Sequence, residues 1–208
     1  KRVSLRLEVD SVAEPVRTDT LTGLYNFRHF RLTLEQEMER TRRTEQTTAL
    51  LMVDLDHFKQ VNDKWGHETG NLALVSAAKN LRQTTRRLDI PCRYGGEEFA
   101  VILPATDLIT AVQVAERIRL AIENTSVLVG GEDINLTASL GVAIYQSSDD
   151  DTPEQVVSRA DSCLYQAKQQ GRNQVFYQPE ADQRSQAAVS REEREALSNF
   201  FGDTGGDD

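Results

Sequence analysis

The chain has 208 residues with 33 acidic and 24 basic side chains, a net charge of −9 and a sequence pI near 4.9. That balance leaves no basic footprint for nucleic acid or an anionic membrane surface, although a metal and a few placed cations can still hold a small anionic substrate. The length suits one domain with short appendages, and the longest apolar run, Ala49 to Val53, is far too short to span a bilayer.

Two cysteines, Cys92 and Cys163, offer no disulfide framework and no metal-ligand spacing. With no signal peptide in view, they read as reduced core residues of a cytoplasmic protein. A start at Lys1 without Met reads as an excised fragment, so a membrane anchor elsewhere in a longer protein stays open.

Residues 1–18 read as a linker from an upstream regulatory region, interrupted by Pro15. A turn-rich entry, Asp19-Thr20-Leu21-Thr22-Gly23-Leu24-Tyr25-Asn26, follows. Phe27, Phe30, Leu34 and Met38 recur at helical spacing and predict a helix over roughly 27–43. Ala49 to Val53 has the continuous apolar pattern of a strand covered on both faces. It runs into Asp54-Leu55-Asp56-His57-Phe58-Lys59, and acidic residues at the carboxyl end of a buried strand recur in metal and phosphate chemistry.

A short helical stretch to Asn62 and the segment Gly66 to Asn71 precede a second long helix (Leu74, Ala77, Ala78, Leu81) ending near Arg87. Asp107 caps a third helix carrying Ala111, Val114, Ala115, Ile118 and Ile122. After Gly130-Gly131, one strand is expected in which Ile134, Leu136, Ala138, Leu140, Val142 and Ile144 alternate. Thr152-Pro153-Glu154-Gln155 has capping-box spacing with Pro at the first helical position, and that helix runs to a Gly171 cap. Val175-Phe176-Tyr177 is a final strand, and residues 179–208 form a polar acidic tail with a short helix near Ser190 to Phe201. The order predicts an α+β sandwich around a mostly antiparallel sheet.

Between the second and third helices lies Arg93-Tyr94-Gly95-Gly96-Glu97-Glu98-Phe99, flanked by strand-like segments. It reads as a hairpin with both glycines at positive φ and two carboxylates opening the return strand. Adjacent like charges are expensive to desolvate, so they point to a site. The plainer reading is a solvated tip.

These patches, together with Ala160-Asp161, Tyr165-Gln166-Ala167-Lys168 and Gly171-Arg172-Asn173, closely resemble the GGDEF-domain diguanylate cyclases over roughly residues 19 to 178. The resemblance implies the ferredoxin-like, palm-type sandwich of class III nucleotidyl cyclases and the condensation of two GTP into cyclic di-GMP. It implies that Asp54, the Leu55 carbonyl and Glu97 hold Mg²⁺, a pair of ions per active site with Mn²⁺ as the alternative. Glu97, Lys59 and Glu98 are the implied catalytic residues. Backbone amides of His57, Phe58 and Lys59, with Lys168 and Arg172, are implied to bind phosphates, and Asn62, His67 and Asn71 the guanine end. Lys168 and Arg172 also have a simpler reading, as cations at a helix C-terminus. Asp161 reads as a fold-stabilising hydrogen-bonder.

Position 71 departs from the family, which usually has Asp there. An amide offers one acceptor oxygen where a carboxylate accepts from both guanine N–H groups, so weaker GTP binding or looser purine selection is expected. Arg86-Arg87-Leu88-Asp89 matches the family's RxxD product-inhibition site, in which Arg86 grips phosphate and guanine and Asp89 accepts from a guanine edge; Arg117 and Arg40 match further contacts to cyclic di-GMP. A surface ion pair is the plainer reading of Arg86 and Asp89. The implied partners are GTP, the product as feedback inhibitor, a second copy of the domain, and an upstream sensory or receiver domain. Two rivals stand beside the cyclase: a non-enzymatic cyclic di-GMP receptor, and a nucleotidyl cyclase with relaxed purine choice.

Overall fold

The computed structural model describes residues 16–178, so nearly all of the expected linker and the whole acidic tail lie outside the described residues. At the centre is β1 (Thr48–Leu55), every residue of which is buried. Its apolar run is continuous because helices cover both faces of the sheet.

Five strands line up as β2-β3-β1-β6-β7, where β2 is Ile90–Gly95, β3 Glu98–Leu103, β6 Ala138–Tyr145 and β7 Val175–Tyr177. β1 pairs antiparallel with β3 and β6, and β2 with β3. β7 joins parallel to β6, which makes the sheet mixed.

Alternation along β1 divides the core. Ala49, Leu51, Val53 and Leu55 face α3 (His67–Thr84) and α4 (Leu108–Glu123), whereas Leu50 and Met52 face α1 (Phe27–Thr44) and α5 (Pro153–Gln169). Phe30, Leu34 and Met38 anchor α1, and truncating a buried Phe such as Phe30 costs about 3–5 kcal/mol. The Thr152–Gln155 capping box forms with Pro153 in the first turn, and Gly171 follows the Gln170 cap. Asp107 caps α4 by accepting from Thr110 N–H. Both cysteines are buried, and burial pushes the Cys92 thiol up to about 12.

Several expectations change. The expected strand over Ile134–Ile144 is two: β5 (Glu132–Asn135) turns back on an unforeseen β4 (Ser126–Val129) as a separate hairpin, and β6 begins at Ala138. β6 does not alternate, because Ser139, Gly141, Ala143 and Tyr145 are covered by the α1/α5 layer. Gly141 allows this, since a Cβ there would lie 2.1 Å from the Ala160 carbonyl oxygen on α5.

The short helix α2 (Phe58–Trp65) extends past Asn62. α3 starts at His67, earlier than expected, and ends at Thr84, before Arg86. In the hairpin only Gly96 has positive φ (42°), while Gly95 still pairs with Glu98. The two-residue turn is therefore Gly96-Glu97, with glycine at its first central position as in a type II′ hairpin.

Candidate active site

The end of β1 and the hairpin tip meet directly. Asp54 lies opposite Glu98 across the β1–β3 ladder and opposite Ser139 across β1–β6. Cross-strand neighbours share a face, so Asp54 and Glu98 both project toward the α5 side. The Leu55 N–H donates to the Glu97 carbonyl at 3.4 Å and holds the turn against β1.

From α5, Lys168 reaches Asp54 with Nζ 2.8 Å from Oδ2. Burial raises the Asp54 pKa, the Lys168 hydrogen bond and charge draw it back, and the nearby Glu97 and Glu98 push it up. Glu98 is raised too, first by burial and then by Asp161, with Lys168 offsetting. The Lys168 charge thus acts on Asp54, Glu98 and Asp161 together.

Asp161 differs from its expected role. Its side chain makes no hydrogen bond among the described residues and acts on Glu98 and Tyr94 through its charge. The structural carboxylate is Asp56, which accepts from Ser139 Oγ at 2.7 Å, Thr137 Oγ1 at 2.8 Å and the Asn173 N–H at 3.0 Å.

The hairpin tip is also braced from the entry turn. Arg93 reaches both oxygens of Asp19 at 3.2 Å and donates to the Gly96 carbonyl at 2.9 and 3.2 Å. Asp19 is held further by Thr22; burial alone would raise its pKa, but these bonds bring it below the ordinary value. The two patches are 74 residues apart, and their opposite charges are the one signal in the sequence for this contact.

Beyond Asp54 the chain turns into α2 through His57 at φ 57°, whose side chain caps nothing. The first-turn N–H groups of a helix have no intrahelical acceptors, so those of Phe58 and Lys59 remain available to an anion. Neither Lys59 nor Arg172 enters an ion pair among the described residues.

Asn62 packs against Gly70 so closely that a Cβ at 70 would lie 1.9 Å from its Oδ1. That contact sets Asn62 beside the first turns of α3, where His67 and Asn71 are exposed. Arg172 follows α5 in a left-handed turn (φ 64°), its N–H bonded to the Ala167 carbonyl.

The Arg86 group lies elsewhere. Arg86 donates from Nε to Asp89 Oδ1 (3.0 Å) and from Nη2 to Thr106 Oγ1 (2.6 Å) and the Pro104 carbonyl (3.2 Å). Thr106 N–H donates to the Thr47 carbonyl just before β1, so this cluster is roughly 23 Å from Asp54 at about 3.3 Å per strand residue. Arg117 on α4 donates to the Thr84 carbonyl at the end of α3, close by in sequence. Among the described residues no bond brings Arg40 to this cluster; it pairs at 3.7 Å with Glu37 on its own helix. The Asp89 side chain is fully covered, with Oδ2 taken by the Arg86 N–H, so in this arrangement it orients Arg86 and presents no edge of its own.

As an ion site the strand end offers two carboxylates and a carbonyl. Among the described residues no three His, Cys, Asp or Glu side chains are grouped to hold an ion alone. A hard-oxygen set of this size suits a divalent cation that keeps several non-protein ligands. No helix among the described residues is long and apolar enough to cross a membrane.

A family model described as "Diguanylate cyclase, GGDEF domain" matches residues 16–174. The response regulator PleD of Caulobacter vibrioides is 42% identical over 173 residues, 82% of this chain and 38% of that protein. Diguanylate cyclase A of Treponema denticola is 38% identical over 83% of this chain and 47% of its own length. The chain thus spans less than half the length of these relatives. The GGDEF domain of DgcB from Caulobacter crescentus, solved in complex with c-di-GMP, superimposes with a TM-score of 0.75 at 32% identity, covering 80% of this chain and 98% of that one. A strand-end aspartate facing a Gly-Gly-Glu-Glu hairpin tip, within a matching sequence and fold, places this chain in the GGDEF domain family.

Proposed function

We propose that the chain is the catalytic domain of a diguanylate cyclase that joins two GTP into cyclic di-GMP with release of two pyrophosphates. The observation that carries this reading is the meeting of Asp54, the Glu97-Glu98 tip and Lys168, with the Asp54–Lys168 contact at 2.8 Å. Asp54, the Leu55 carbonyl and Glu97 would hold Mg²⁺ or Mn²⁺, which when bound supplies charge neutralisation on the triphosphate. Around it, the α2 amides, Lys59, Lys168 and Arg172 hold phosphate oxygens, and Lys59 supports the charge that grows as pyrophosphate leaves. Glu97 takes the proton of the 3′-hydroxyl, and that oxygen attacks the α-phosphorus of the second GTP. Glu98, beside Asp54 across the strands, adds negative field to the same cluster.

Each domain carries one such site, and the product is two-fold symmetric. Two copies must therefore face one another to align each 3′-hydroxyl with the other's α-phosphate. Arg86, oriented by Asp89, with Arg117 and then Arg40, forms the product-inhibition surface in this reading. In this reading activity rises with protein concentration, and an upstream sensory or receiver domain of a longer protein would set it.

Incubation of concentrated protein with GTP and Mg²⁺, followed by mass identification of the nucleotides beside a Glu97→Gln control, tests the reading. Cyclic di-GMP from wild type alone supports it. Binding of cyclic di-GMP without synthesis at any protein concentration would move the assignment to a receptor. Asn71 gives a reason to run the same assay with ATP and with the GTP/ATP mixture, because mixed dinucleotides would reveal relaxed purine choice.

A further inference from the structure

Asp56 is 5% exposed and meets no cation within bonding distance among the described residues, yet it lies two residues beyond Asp54. A buried carboxylate needs its lone pairs filled. Three donors bond it: Ser139 Oγ, Thr137 Oγ1 and the backbone N–H of Asn173. The third donor arrives from the turn after α5, far away in sequence. It ties the end of β1 to the segment that carries Arg172.

Asn173 is itself gripped from the other side. Its Nδ2 donates to Glu123 Oε1 at 2.7 Å, and its Oδ1 accepts from Arg119 Nη1 at 2.9 Å. Arg119 also bonds Glu123 at 2.8 Å and Glu116 at 2.9 Å, which fixes its guanidinium on α4. Hydrogen bonds from Asn173 and Arg119 keep the Glu123 carboxyl below its ordinary range.

The turn so clamped is strained. Arg172 and Asn173 both have left-handed backbones, at φ 64° and 46°. Asn accepts that region readily, but Arg does not, and such conformations persist where the surroundings over-determine them. Gln174 Nε2 adds a bond to the same Ala167 carbonyl that receives the Arg172 N–H.

We infer that Asn173 is a positioning residue: braced by Glu123 and Arg119 of α4 and bonded to Asp56, it holds Arg172 in a strained left-handed conformation for nucleotide phosphate binding. Side chains behind a ligand-holding group govern its geometry in this way. The inference rests on the reading of Arg172 as a phosphate ligand. It extends that reading to α4, which otherwise lies outside the site.

The test uses the full 208-residue chain with Asn173→Gly, Arg172→Ala and the double variant. Glycine adopts the left-handed backbone freely and keeps the N–H to Asp56, so Asn173→Gly removes the α4 bonds without blocking the fold. GTP affinity in the presence of Mg²⁺ is measured by calorimetry, and KM and kcat by product formation. Asn173→Gly should weaken GTP binding and raise KM by roughly tenfold, with kcat within about threefold, in line with losses of supporting side chains. The double variant should bind no more weakly than Arg172→Ala alone, because Asn173 acts through Arg172. Glu123→Ala should shift KM the same way from outside the site.

Additive losses in the double variant, or a lower kcat at unchanged KM, would overturn the inference and leave Asn173 a purely structural residue. Wild type that binds GTP without making cyclic di-GMP would remove the cyclase reading, while the affinity cycle still decides the role of Asn173. Wild type without affinity for GTP would remove both.

Discussion

Among the described residues, Lys168 and Asp54 form the one ion pair that joins α5 to the end of β1, at 2.8 Å, with the Asp54 side chain nearly covered. The same ammonium group moderates Asp54, Glu98 and Asp161, so it neutralises a cluster as well as a single partner. Lys168→Ala should remove about 1.5–3 kcal/mol of charge-assisted binding, a fall of roughly ten- to a hundredfold in kcat/KM for GTP. Steady-state kinetics at fixed Mg²⁺ read this directly. An unchanged kcat/KM would mean that the pair serves only the fold.

The pH dependence of the metal-free chain follows from Asp54 and Glu98, both raised mainly by burial. A carboxyl raised in the folded state binds its proton more tightly folded than unfolded, so ionising it weakens the fold. Stability should decline as pH rises from the ordinary carboxylate range through the raised values, and Mg²⁺ should reverse the decline. Thermal unfolding across pH, with and without Mg²⁺, checks this. Asp54→Asn should flatten its share of the slope.

Gly70 and Gly141 are both tight, but against different neighbours. At Gly141 a Cβ would meet the α5 backbone at 2.1 and 2.3 Å, and backbone cannot swing aside. Gly141→Ala should cost about 1–3 kcal/mol or more in stability. At Gly70 the obstacle is the Asn62 side chain, which can rotate. Gly70→Ala should therefore lower GTP affinity far more than it lowers the unfolding midpoint. Equal effects on both measurements would argue against a role for Asn62 in base binding.

Asn71 is exposed on the second turn of α3, so a substitution there should leave the fold intact. Asn71→Asp restores a charged acceptor for the two guanine N–H groups and should tighten GTP binding by about 1.5–3 kcal/mol. Preference over ATP should rise with it. Competition between the two nucleotides measures both, and no change in either would remove Asn71 from the base site.

Arg86→Ala should abolish inhibition by added cyclic di-GMP while sparing synthesis, because its cluster is at the opposite end of β1 from Asp54. Asp89→Asn should weaken inhibition less, since its carboxylate orients Arg86 through bonds at 2.9 and 3.0 Å and an amide keeps one acceptor. Initial rates against added product test the pair. Full inhibition of Arg86→Ala would exclude the site.

Local chemistry made much of this protein legible from its residues. The Ala49–Val53 run declares a doubly covered strand, Thr152-Pro153-Glu154-Gln155 a helix start, and the ordered patches around Asp54 and Glu97 the family, because each signal is written within a few neighbouring residues. Pairings between distant segments are not written that way. Only the tertiary structure decided that β7 joins parallel to β6, that Ser126–Val129 leaves the main sheet with Glu132–Asn135, and that the buried acid satisfied by hydrogen bonds is Asp56 and not Asp161. Nor could spacing reveal that Asp89 is covered by its own Arg86, or that Asn173 reaches α4 and Asp56 together. The physical reason is that hydrophobic burial requires only an apolar face, whereas a buried polar group requires a specific partner, and which partner arrives depends on how the whole chain closes.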